Sequence, residues 1–505
     1  MQKSKFWQPV DRAAMGLMLV LICLIIGVIF AGDRAAPHVR DFNWQNKQIG
    51  ADNNKFILTF SRPMNRESVE TNLQIDPLLP GKFSWSGGRM AYTLLNPAPY
   101  GTTYKLQLQS ARDKFSTSQS TNPTLQPFVG EFRSHDLAFA YIGVDGEEQG
   151  RLVLYNLSQN QKNILTPKKL IVIDFKPYPD SSKILFSAED RLSFQKGTLE
   201  QQLYSVSTGI HYLPPKDPFD DPDLPDASTI RPIPAGNIDL VLDSQTHRNL
   251  KFDLSADGKT IVVQRVNKSN PADFGLWVIQ PNIPPKPLEN QPGGDFLITP
   301  DSASLAVSQG EGVGILPLQP NAEPLDFLPK FGMVLSFSKD NTAATMVNFN
   351  KDNPKLRYVR SLYLVTNQGE QKELFQTKGS INNCEFTPQK QALYCLMSEL
   401  IKEKDEFQEQ PYLMSVDLTS FKAVKIVKLP MQRNIQMSLS ADGLTLLFDQ
   451  TITSNAPPVA ESLRTNDGQA ISTSRLWLLP LVPDAAGKIK PELLPIPGFH
   501  PRWLP

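Results

Sequence analysis

The chain has 505 residues, with 51 Lys plus Arg against 51 Asp plus Glu, 43 prolines and 29 glycines. This length predicts two or more domains. A net charge of zero argues against a nucleic-acid-binding protein, which normally carries a basic excess on its binding domain. The many prolines and glycines favour short elements joined by turns over long helices.

An uncharged apolar segment lies near the N-terminus. Residues 13–32, AAMGLMLVLICLIIGVIFAG, are long enough to cross a hydrocarbon core of roughly 30 Å as a helix. Three basic residues precede this segment, which predicts that residues 1–12 form a cytoplasmic tail. The sequence therefore predicts a single-pass membrane protein whose bulk is extracytoplasmic, and periplasmic in a Gram-negative cell. A cleaved signal peptide ending at Ala31 is the alternative.

The region over residues 33–134 has the pattern of short half-buried strands. Phe56, Leu58 and Phe60 recur at every second position, as expected of a strand with one buried face. Gly87 and Gly88 separate two strand-like segments and predict a hairpin. Several short strands in a region of this length predict a small β-sandwich.

Three motifs of this region resemble the bacterial SbsA-type Ig-like domain. They are TFSRPMNRESV (Thr59–Val69), the segment Gly81–Trp85 and YGTTYKL (Tyr100–Leu106). The resemblance implies a spacer or adhesive module of an exported protein, without catalytic residues. We expect Trp85 to lie in the core of the sandwich, and the domain to stand next to the membrane as a stalk.

Residues 135–505 contain a repeated unit. Each copy is an apolar strand, a tight polar turn and a second apolar strand, as in NLKFDLSADGKTIVVQR and NIQMSLSADGLTLLFDQ. The six copies begin at Val172, Asn249, Phe296, Leu335, Cys384 and Asn434. Equivalent turn positions hold Asp180, Asp257, Asp301, Asp340 and Asp442, which can accept local backbone hydrogen bonds. Most copies precede another strand pair, and units of four strands repeating every 40–50 residues or so predict propeller blades.

The turns resemble the S-P-D-G hairpin of TolB-type propellers, which implies a TolB-like β-propeller over residues 135–505. The segment GFHPRWLP (Gly498–Pro505) has the pattern of a first strand without its hairpin, and the segment after residue 135 has the pattern of three strands without a first one. Joining the two completes a seventh blade and removes the open sheet edges. Eight blades would result if Ala235–Thr246 contributed strands of its own. The predicted fold is therefore all-β, with an N-terminal transmembrane helix, an Ig-like sandwich and a propeller.

Long connections indicate where the propeller binds. Five of them fall between the second and third strands of their blades: 188–200, 267–274, 348–360, 398–410 and 451–473. We name the propeller face that carries these connections the loop face. Pro214–Asn237 is predicted to lie between blades, and so on the same face. Insertions collected on one face of a rigid scaffold are a frequent place for function.

Two of these connections supply the candidate binding residues because each combines charges of both signs with an aromatic residue. The candidates are Lys351, Lys355, Arg357, Tyr358, Arg360, Lys402, Lys404 and Phe407. A mixed charge pattern suits a protein or a glycan partner better than a polyanion.

No motif of a known catalytic or metal chemistry is present in the sequence. The acidic segment PPKDPFDDPDLPD (Pro214–Asp226) lacks the glycine turn of a calcium loop. We therefore predict no catalytic residue, no metal site and no cofactor. Cys384 and Cys395 flank one hairpin, where a two-residue turn would place them opposite each other as a disulfide and a three-residue turn would not.

The sequence predicts a membrane-anchored extracytoplasmic binding or scaffold protein rather than an enzyme, with a protein or a cell-envelope glycan as its partner. One alternative is an envelope hydrolase or lyase, which acidic, His or Arg side chains converging at the propeller channel would favour. A second alternative is a small-molecule-sensing propeller, which a well-formed pocket would favour. The oligomeric state is left open.

Overall fold

The structure is a computed structural model. It describes residues 9–31, 36–114, 124–197, 200–210, 233–288, 294–309, 312–318, 326–403, 406–432, 434–454, 462–465, 468–483 and 487–505. Within these residues strands dominate and helices are few, which confirms the all-β class. The helices are α1 (Pro9–Ala31), α2 (Arg66–Asn72) and α3 (Arg191–Gln195).

Helix α1 contains the N-terminal apolar segment, and its side chains are described for residues 13–26. The large apolar side chains from Met15 to Ile26 are exposed. In the part of the chain that the structure describes, no helix is both long and apolar enough to cross a membrane. The prediction of a transmembrane helix over residues 13–32 is therefore not supported by the structure.

The chain forms two compact units. The first contains residues 1–46, 55–95 and 104–132, and the second contains residues 47–54, 96–103 and 133–505. The first unit contains most of the residues of eight strands. These strands form two four-stranded sheets, ordered β1-β3-β6-β5 and β2-β8-β7-β4. These strands are β1 (Val39–Phe42), β2 (Gln48–Ile49), β3 (Lys55–Phe60), β4 (Leu73–Asp76), β5 (Gly81–Ser86), β6 (Arg89–Leu94), β7 (Thr103–Leu108) and β8 (Phe128–Ser134).

Aromatic side chains hold the first unit together. Trp44 and Phe56 pack on Phe132 with ring centroids 5.0 and 6.5 Å apart, and Tyr104 stacks on Phe132 at 5.1 Å. The Phe56–Phe132 contact joins the two sheets, as in a β-sandwich, because β3 belongs to one sheet and β8 to the other. The expectation that Trp85 lies in the core is wrong, because Trp85 is half-buried and donates from Nε1 to Glu70 Oε1 at 2.8 Å. Whether the sandwich is of the SbsA type stays a prediction.

Seven further four-stranded sheets occur in the described residues, and we number them as blades 1–7 in chain order of their second strands. Blade 1 contains β36 (Gly498–Trp503), β9 (Ala138–Gly143), β10 (Leu152–Asn156) and β11 (Gln161–Ile164). Blade 2 contains β12 (Leu170–Pro177), β13 (Lys183–Asp190), β14 (Gln202–Ser207) and β15 (Ile238–Leu242). Blade 3 contains β16 (His247–Leu254), β17 (Ile261–Asn267), β18 (Phe274–Gln280) and β19 (Ile283–Pro287).

The other four blades follow in chain order. Blade 4 contains β20 (Phe296–Ile298), β21 (Ser304–Ser308), β22 (Val313–Pro317) and β23 (Asp326–Leu328). Blade 5 contains β24 (Met333–Phe337), β25 (Ala343–Asn348), β26 (Arg360–Thr366) and β27 (Gln371–Thr377). Blade 6 contains β28 (Ile381–Phe386), β29 (Ala392–Glu403), β30 (Glu406–Asp417) and β31 (Ala423–Lys428). Blade 7 contains β32 (Met437–Leu439), β33 (Thr445–Ser454), β34 (Ala470–Pro480) and β35 (Glu492–Leu493).

The blades form a closed ring. The first strand of each blade contacts the first strand of the next, from β12 through β32 to β36 and back to β12. Buried apolar clusters fill each gap between neighbouring blades in the described residues. Strand β36 pairs antiparallel with β9, so the C-terminal segment completes blade 1 as predicted. The strands at the two ends of residues 135–505 thus pair in one blade and close the ring. A closed ring of four-stranded sheets is a β-propeller.

The turn chemistry explains why the same hairpin recurs. Each of the five predicted turn aspartates accepts the backbone N–H of the residue two positions on, at 2.9–3.2 Å. The residue in between has φ of 55–75° in every case, which is the left-handed region. A short carboxylate that replaces the missing backbone partner stabilises this turn. The prediction for these aspartates is confirmed.

One connection was predicted on the wrong face. The insertion Pro214–Asn237 joins β14 to β15, which pair within blade 2 from Leu203↔Leu242 to Val206↔Ile238. It is therefore a connection between the third and fourth strands, not one between blades. Residues 211–232, with the acidic segment Pro214–Asp226, lie outside the described residues. Residues 238–242 complete blade 2, so the eighth blade is also ruled out within the described chain.

Candidate functional site

The loop face carries a groove on blades 5 and 6. The groove has a volume of about 810 Å³. Its walls are the connection between β25 and β26, the link between β27 and β28, and the long hairpin of β29 and β30. It is lined by Phe349, Lys351, Pro354, Arg357, Tyr358, Val359, Arg360, Lys378, Leu400 and Glu409. Four of the eight candidate binding residues line the groove, and all four belong to the connection 348–360.

The other candidates lie around this groove. Lys355 is exposed on a 3₁₀ turn, Pro354–Leu356, and its own N–H donates to the Asn353 side chain at 3.1 Å. Lys402 and Phe407 face each other as a cross-strand pair near the tip of the β29–β30 hairpin, where Phe407 is 66% exposed. Lys404 lies outside the described residues.

The hairpin projects beyond its blade. Strand β28 pairs with β29 only as far as Ile381↔Met397, and β31 pairs with β30 only from Tyr412↔Lys428. The β29–β30 ladder nevertheless continues to Glu403↔Glu406. We name the residues 398–403 and 406–411 the arm. The arm has no strand neighbour on either outer edge among the described residues.

Sequence reasoning missed Lys378, Leu400 and Glu409. Lys378 follows β27 and leads into the next blade, and such links lie on the same face as the connections between second and third strands. This rule was sufficient to find Lys378. Glu409 accepts hydrogen bonds from Ser398 Oγ at 2.6 Å and Ser380 Oγ at 3.0 Å, which fixes it at the base of the arm. No local pattern indicates that contact.

A second cavity lies at the propeller axis and has a volume of about 780 Å³. All seven first strands, or the residues beside them, contribute to its wall. We name this cavity the channel. Polar residues of its wall include Lys176, Asp253, Ser336, Asn382, Asn383, Glu385, Gln436, Ser438, His500 and Arg502. The enzymatic alternative predicts converging acidic, His or Arg side chains at the channel, and the small-molecule-sensing alternative predicts a well-formed pocket.

Bulges turn side chains into the channel. The pairing of first and second strands shifts register at Leu335 in blade 5, at Asn382 in blade 6 and at His500–Pro501 in blade 1. All four residues line the channel. A bulge adds one residue to a strand and re-aims the side chain there. His500 also has φ of 54°, a left-handed conformation that is uncommon for a residue other than glycine.

Asp174, His500 and Arg502 form an ionic cluster, of which His500 and Arg502 line the channel. His500 Nε2 lies 3.1 Å from Asp174 Oδ1 and 3.2 Å from Arg502 Nε, and Arg502 Nη2 lies 3.8 Å from Asp174 Oδ1. Burial by itself would raise the pKa of Asp174. The neighbouring His500 and Arg502 outweigh burial and hold that pKa well below its usual range.

Three more carboxylates join neighbouring blades. Asp253 pairs with Lys176 of blade 2 and accepts the N–H of Ile298 in blade 4 at 2.8 Å. Glu385 accepts the N–H of Leu439 in blade 7 at 2.9 Å.

The third carboxylate, Asp449, accepts the N–H of His500 in blade 1 at 2.8 Å. Burial raises the pKa of Asp449 to about 6 and that of Glu385 to about 7, against the lowering effect of these backbone donors.

Cys384 and Cys395 lie directly opposite each other on β28 and β29 and are joined by a disulfide. Cys384 is fully buried and forms part of the channel wall. The bond therefore ties the channel-lining strand of blade 6 to the strand that continues into the arm.

Comparison with protein-family models finds no match, and comparison with curated proteins finds none. The chain is similar to the solved structure of TolB from Acinetobacter baumannii at 10% identity and a TM-score of 0.40, over 93% of this chain and 99% of that one. It is similar to a 6-phosphogluconolactonase-like protein from Bacteroides uniformis at 11% identity and 0.40, over 73% and 99%. It is similar to oligogalacturonate lyase from Vibrio parahaemolyticus at 10% identity and 0.39, over 59% and 80%. Likenesses of this size carry no argument about function.

Proposed function

We propose that this protein is a non-catalytic binding scaffold that docks a partner protein on the loop face of its propeller. The observation that carries the proposal is the groove of about 810 Å³ between the connection 348–360 and the arm. It combines cationic, aromatic and aliphatic side chains on a rigid closed ring. Such a surface needs little ordering to bind, which favours affinity.

The charge of the groove specifies the chemistry of the partner. Its wall contains four cationic side chains and a single described carboxylate, that of Glu409. Among the described residues, Arg357, Arg360 and Lys378 form no ion pair. A partner segment with acidic side chains would neutralise them, whereas a neutral glycan would leave them without a countercharge.

Apolar and aromatic groups supply the remaining contact. Phe349, Val359 and Leu400 line the groove, and Tyr358 is 79% exposed at its rim. Tyr and Arg are enriched among the side chains that dominate binding energy at protein interfaces. The open edges of the arm also offer backbone hydrogen bonds to an extended segment. We therefore favour an extended, acidic and apolar segment of a partner protein over a glycan.

Site-specific photo-crosslinking in cells tests this proposal. A photoreactive phenylalanine analogue replaces Tyr358, Phe407 or, as a control, Phe421, an exposed aromatic side chain in the turn between the third and fourth strands of blade 6. We expect one protein adduct of defined mass from positions 358 and 407 and none from 421. Equal adducts from all three positions, or adducts only to carbohydrate, would contradict the proposal.

Charge reversal is the second part of the experiment. Arg357→Glu combined with Lys378→Glu should reduce the adduct from position 407 by roughly tenfold, which corresponds to about 1.4 kcal/mol. Lys378→Arg should retain the adduct because it keeps the charge. The melting temperature of both variants should match the parent, since neither side chain forms an ion pair. An undiminished adduct from the charge-reversed protein would argue against an acidic partner segment.

The ionic cluster of Asp174, His500 and Arg502 is the observation that favours the enzymatic alternative. Three other carboxylates in or near the channel wall are, however, occupied in holding the ring: Asp253, Glu385 and Asp449 each accept a backbone N–H from the neighbouring blade. We therefore propose binding rather than turnover.

Location outside the cytoplasm and attachment through the N-terminal segment belong to the same proposal. The disulfide between Cys384 and Cys395 supports an oxidising compartment, and the exposed apolar side chains of α1 support contact with an apolar environment. In fractionated cells, the full chain should stay with membranes in alkaline carbonate, and a chain without residues 1–32 fused to a cleavable export signal should be released. Release of both forms would refute the attachment.

A further inference from the structure

The channel has properties of a ligand site that is separate from the loop-face groove. Its volume of about 780 Å³ falls in the range of small-molecule sites, roughly 300–1,000 Å³. Its wall mixes polar side chains with apolar ones, including Leu297, Leu335 and Phe337. A few convergent polar groups on an apolar wall are the usual composition of such a site.

Except for Glu385, whose pKa burial raises to about 7, the charged side chains of the channel already have partners of opposite charge. Lys176 pairs with Asp253, and Arg502 lies with His500 against Asp174. At the rim, Lys339 Nζ lies 2.6 Å from Asp52 Oδ1. An ionic ligand would have to displace one of these partners and leave a charge behind in a confined place, which is costly. The channel therefore favours an uncharged ligand.

Hydrogen-bonding capacity remains beside these pairs. Asn382 and Gln436 line the channel, and among the described residues their side-chain amides bond to no other protein group. An amide donates and accepts, while a carboxylate such as that of Glu385 accepts only. A hydroxyl group satisfies both at once, because it can donate to a carboxylate and accept from an amide. The neighbouring apolar side chains can pack against the C–H groups of such a ligand.

His500 gives an independent reason to assign binding here. It keeps a left-handed backbone at the channel wall, and the Asp449 carboxylate holds its N–H in place. Among the described first strands, His500 is the only residue within a strand that has a positive φ. Backbone strain that the surroundings maintain is concentrated at binding and catalytic sites. The strained bulge presents both His500 and Pro501 to the channel.

We infer that the channel binds a small, uncharged, hydroxyl-rich ligand of the size of a mono- or disaccharide. The amides of Asn382 and Gln436 and the carboxylates beside them bind its hydroxyl groups. Leu297, Leu335 and Phe337 pack against its apolar face. The site is independent of the partner protein proposed for the loop face.

Saturation-transfer NMR on the full chain, purified in a detergent without a sugar headgroup, tests this inference. The probes are glucose, N-acetylglucosamine and maltose, with glucuronate and glucosamine as matched anionic and cationic analogues. We expect at least one neutral sugar to bind with a Kd in the millimolar range or below, and both charged analogues to bind roughly tenfold more weakly. Equal or tighter binding of a charged analogue would overturn the inference, and so would the absence of binding by all three neutral sugars.

Variants locate the binding. Asn382→Ala and Gln436→Ala should each weaken the neutral sugar by roughly fivefold or more, the effect of one lost hydrogen bond of about 1 kcal/mol. The control is Gln389→Ala, which removes an exposed amide from the hairpin turn of blade 6, the blade that also holds Asn382. It should leave the affinity unchanged. All three proteins should keep the parent melting temperature. Sugar binding that is insensitive to both channel variants would place the sugar elsewhere and overturn the inference.

Discussion

Glu385 shows at the residue scale how the closed ring couples ionisation to stability. Burial raises its pKa to about 7, while the N–H of Leu439, the charge of Arg502 and the amide of Asn383 oppose that effect. The folded protein therefore binds this proton more tightly than the unfolded chain. The free energy of unfolding must fall as the pH rises from the unfolded pKa, near 4.5, through the folded one.

Glu385→Gln should remove this pH dependence because glutamine carries no charge at any pH. Against the parent, we expect the variant to be more stable by about 1–3 kcal/mol at pH 8 and nearly equal at pH 4. Urea unfolding of both proteins at several pH values measures the difference. Asp449, whose pKa is raised to about 6, remains in the variant and should leave a smaller decline at lower pH. A stability difference that stays constant with pH would contradict the assignment.

The turn aspartates make a second prediction at this scale. Asp442 is buried and accepts from the N–H groups of Leu444 and Tyr100, both at 3.0 Å, whereas Asp180 is exposed and accepts from Ser182 alone. Asp442→Ala leaves partly buried donors without partners and should cost about 1–3 kcal/mol. Asp180→Ala should cost less than about 1 kcal/mol because water replaces its carboxylate. Thermal unfolding of the two variants measures the contrast, and equal losses would argue against the role of burial.

The hairpin of β28 and β29 illustrates the element scale. Cys384 and Cys395 are 11 residues apart in sequence, and their bond closes a small loop across a pair of strands. Cross-linking a loop of this size lowers the entropy of the unfolded chain by the equivalent of about 2–3 kcal/mol. The same strands carry the channel wall at one end and the arm at the other.

Removing the disulfide should lower stability without loss of the fold. For the double variant Cys384→Ala/Cys395→Ala we expect a loss of about 1–3 kcal/mol, since the strands are paired already. A reductant should lower the melting temperature of the parent to a similar degree and leave that of the variant unchanged. If the reductant destabilised both proteins equally, its effect would not arise from this bond.

At the scale of the whole molecule, the pairing of β36 with β9 decides whether the ring is closed. Trp503 in β36 packs edge-on against Phe139 in β9 at 5.4 Å, and the backbone N–H of His500 donates to the Asp449 carboxylate of blade 7. Without β36, blade 1 would lose its first strand and expose the edge of β9. Open strand edges favour association with other chains.

Deleting Gly498–Pro505 should therefore lower the melting temperature by several degrees or more and promote oligomers. A synthetic peptide of residues 498–505 added in excess should restore part of the loss, because it binds the folded state alone. Calorimetry and size-exclusion chromatography follow both effects. A truncated protein that unfolds at the parent temperature as a monomer would show that closure contributes little.

Local signals account for the parts of the fold that were predicted. The alternation of apolar residues and the turn aspartates lie within about 20 residues of sequence, so each hairpin can be inferred from its own segment. The unmatched strand patterns near residues 135 and 498 are also local, and together they predict closure. The face of Pro214–Asn237 was misplaced because β15, a short and partly exposed strand, decides it by pairing with β14.

The groove was predictable only in part. Arg357 and Tyr358 lie in one long connection, but Leu400 and Glu409 reach the same groove from the next blade. Whether the β29–β30 ladder continues past its neighbours depends on where β28 begins and where β31 ends. The local sequence of the arm does not indicate how far its neighbouring strands extend.

By itself, the sequence determined the all-β class, the repeated hairpin and the strand that closes the ring, because periodicity and turn chemistry act between near neighbours. Only the tertiary structure decided the channel. Its wall takes Lys176, Asp253, Glu385 and Arg502 from four different blades, and bulges that arise in strand pairing aim Asn382 and His500 into it. Residues so far apart in sequence converge because the ring places every first strand around one axis.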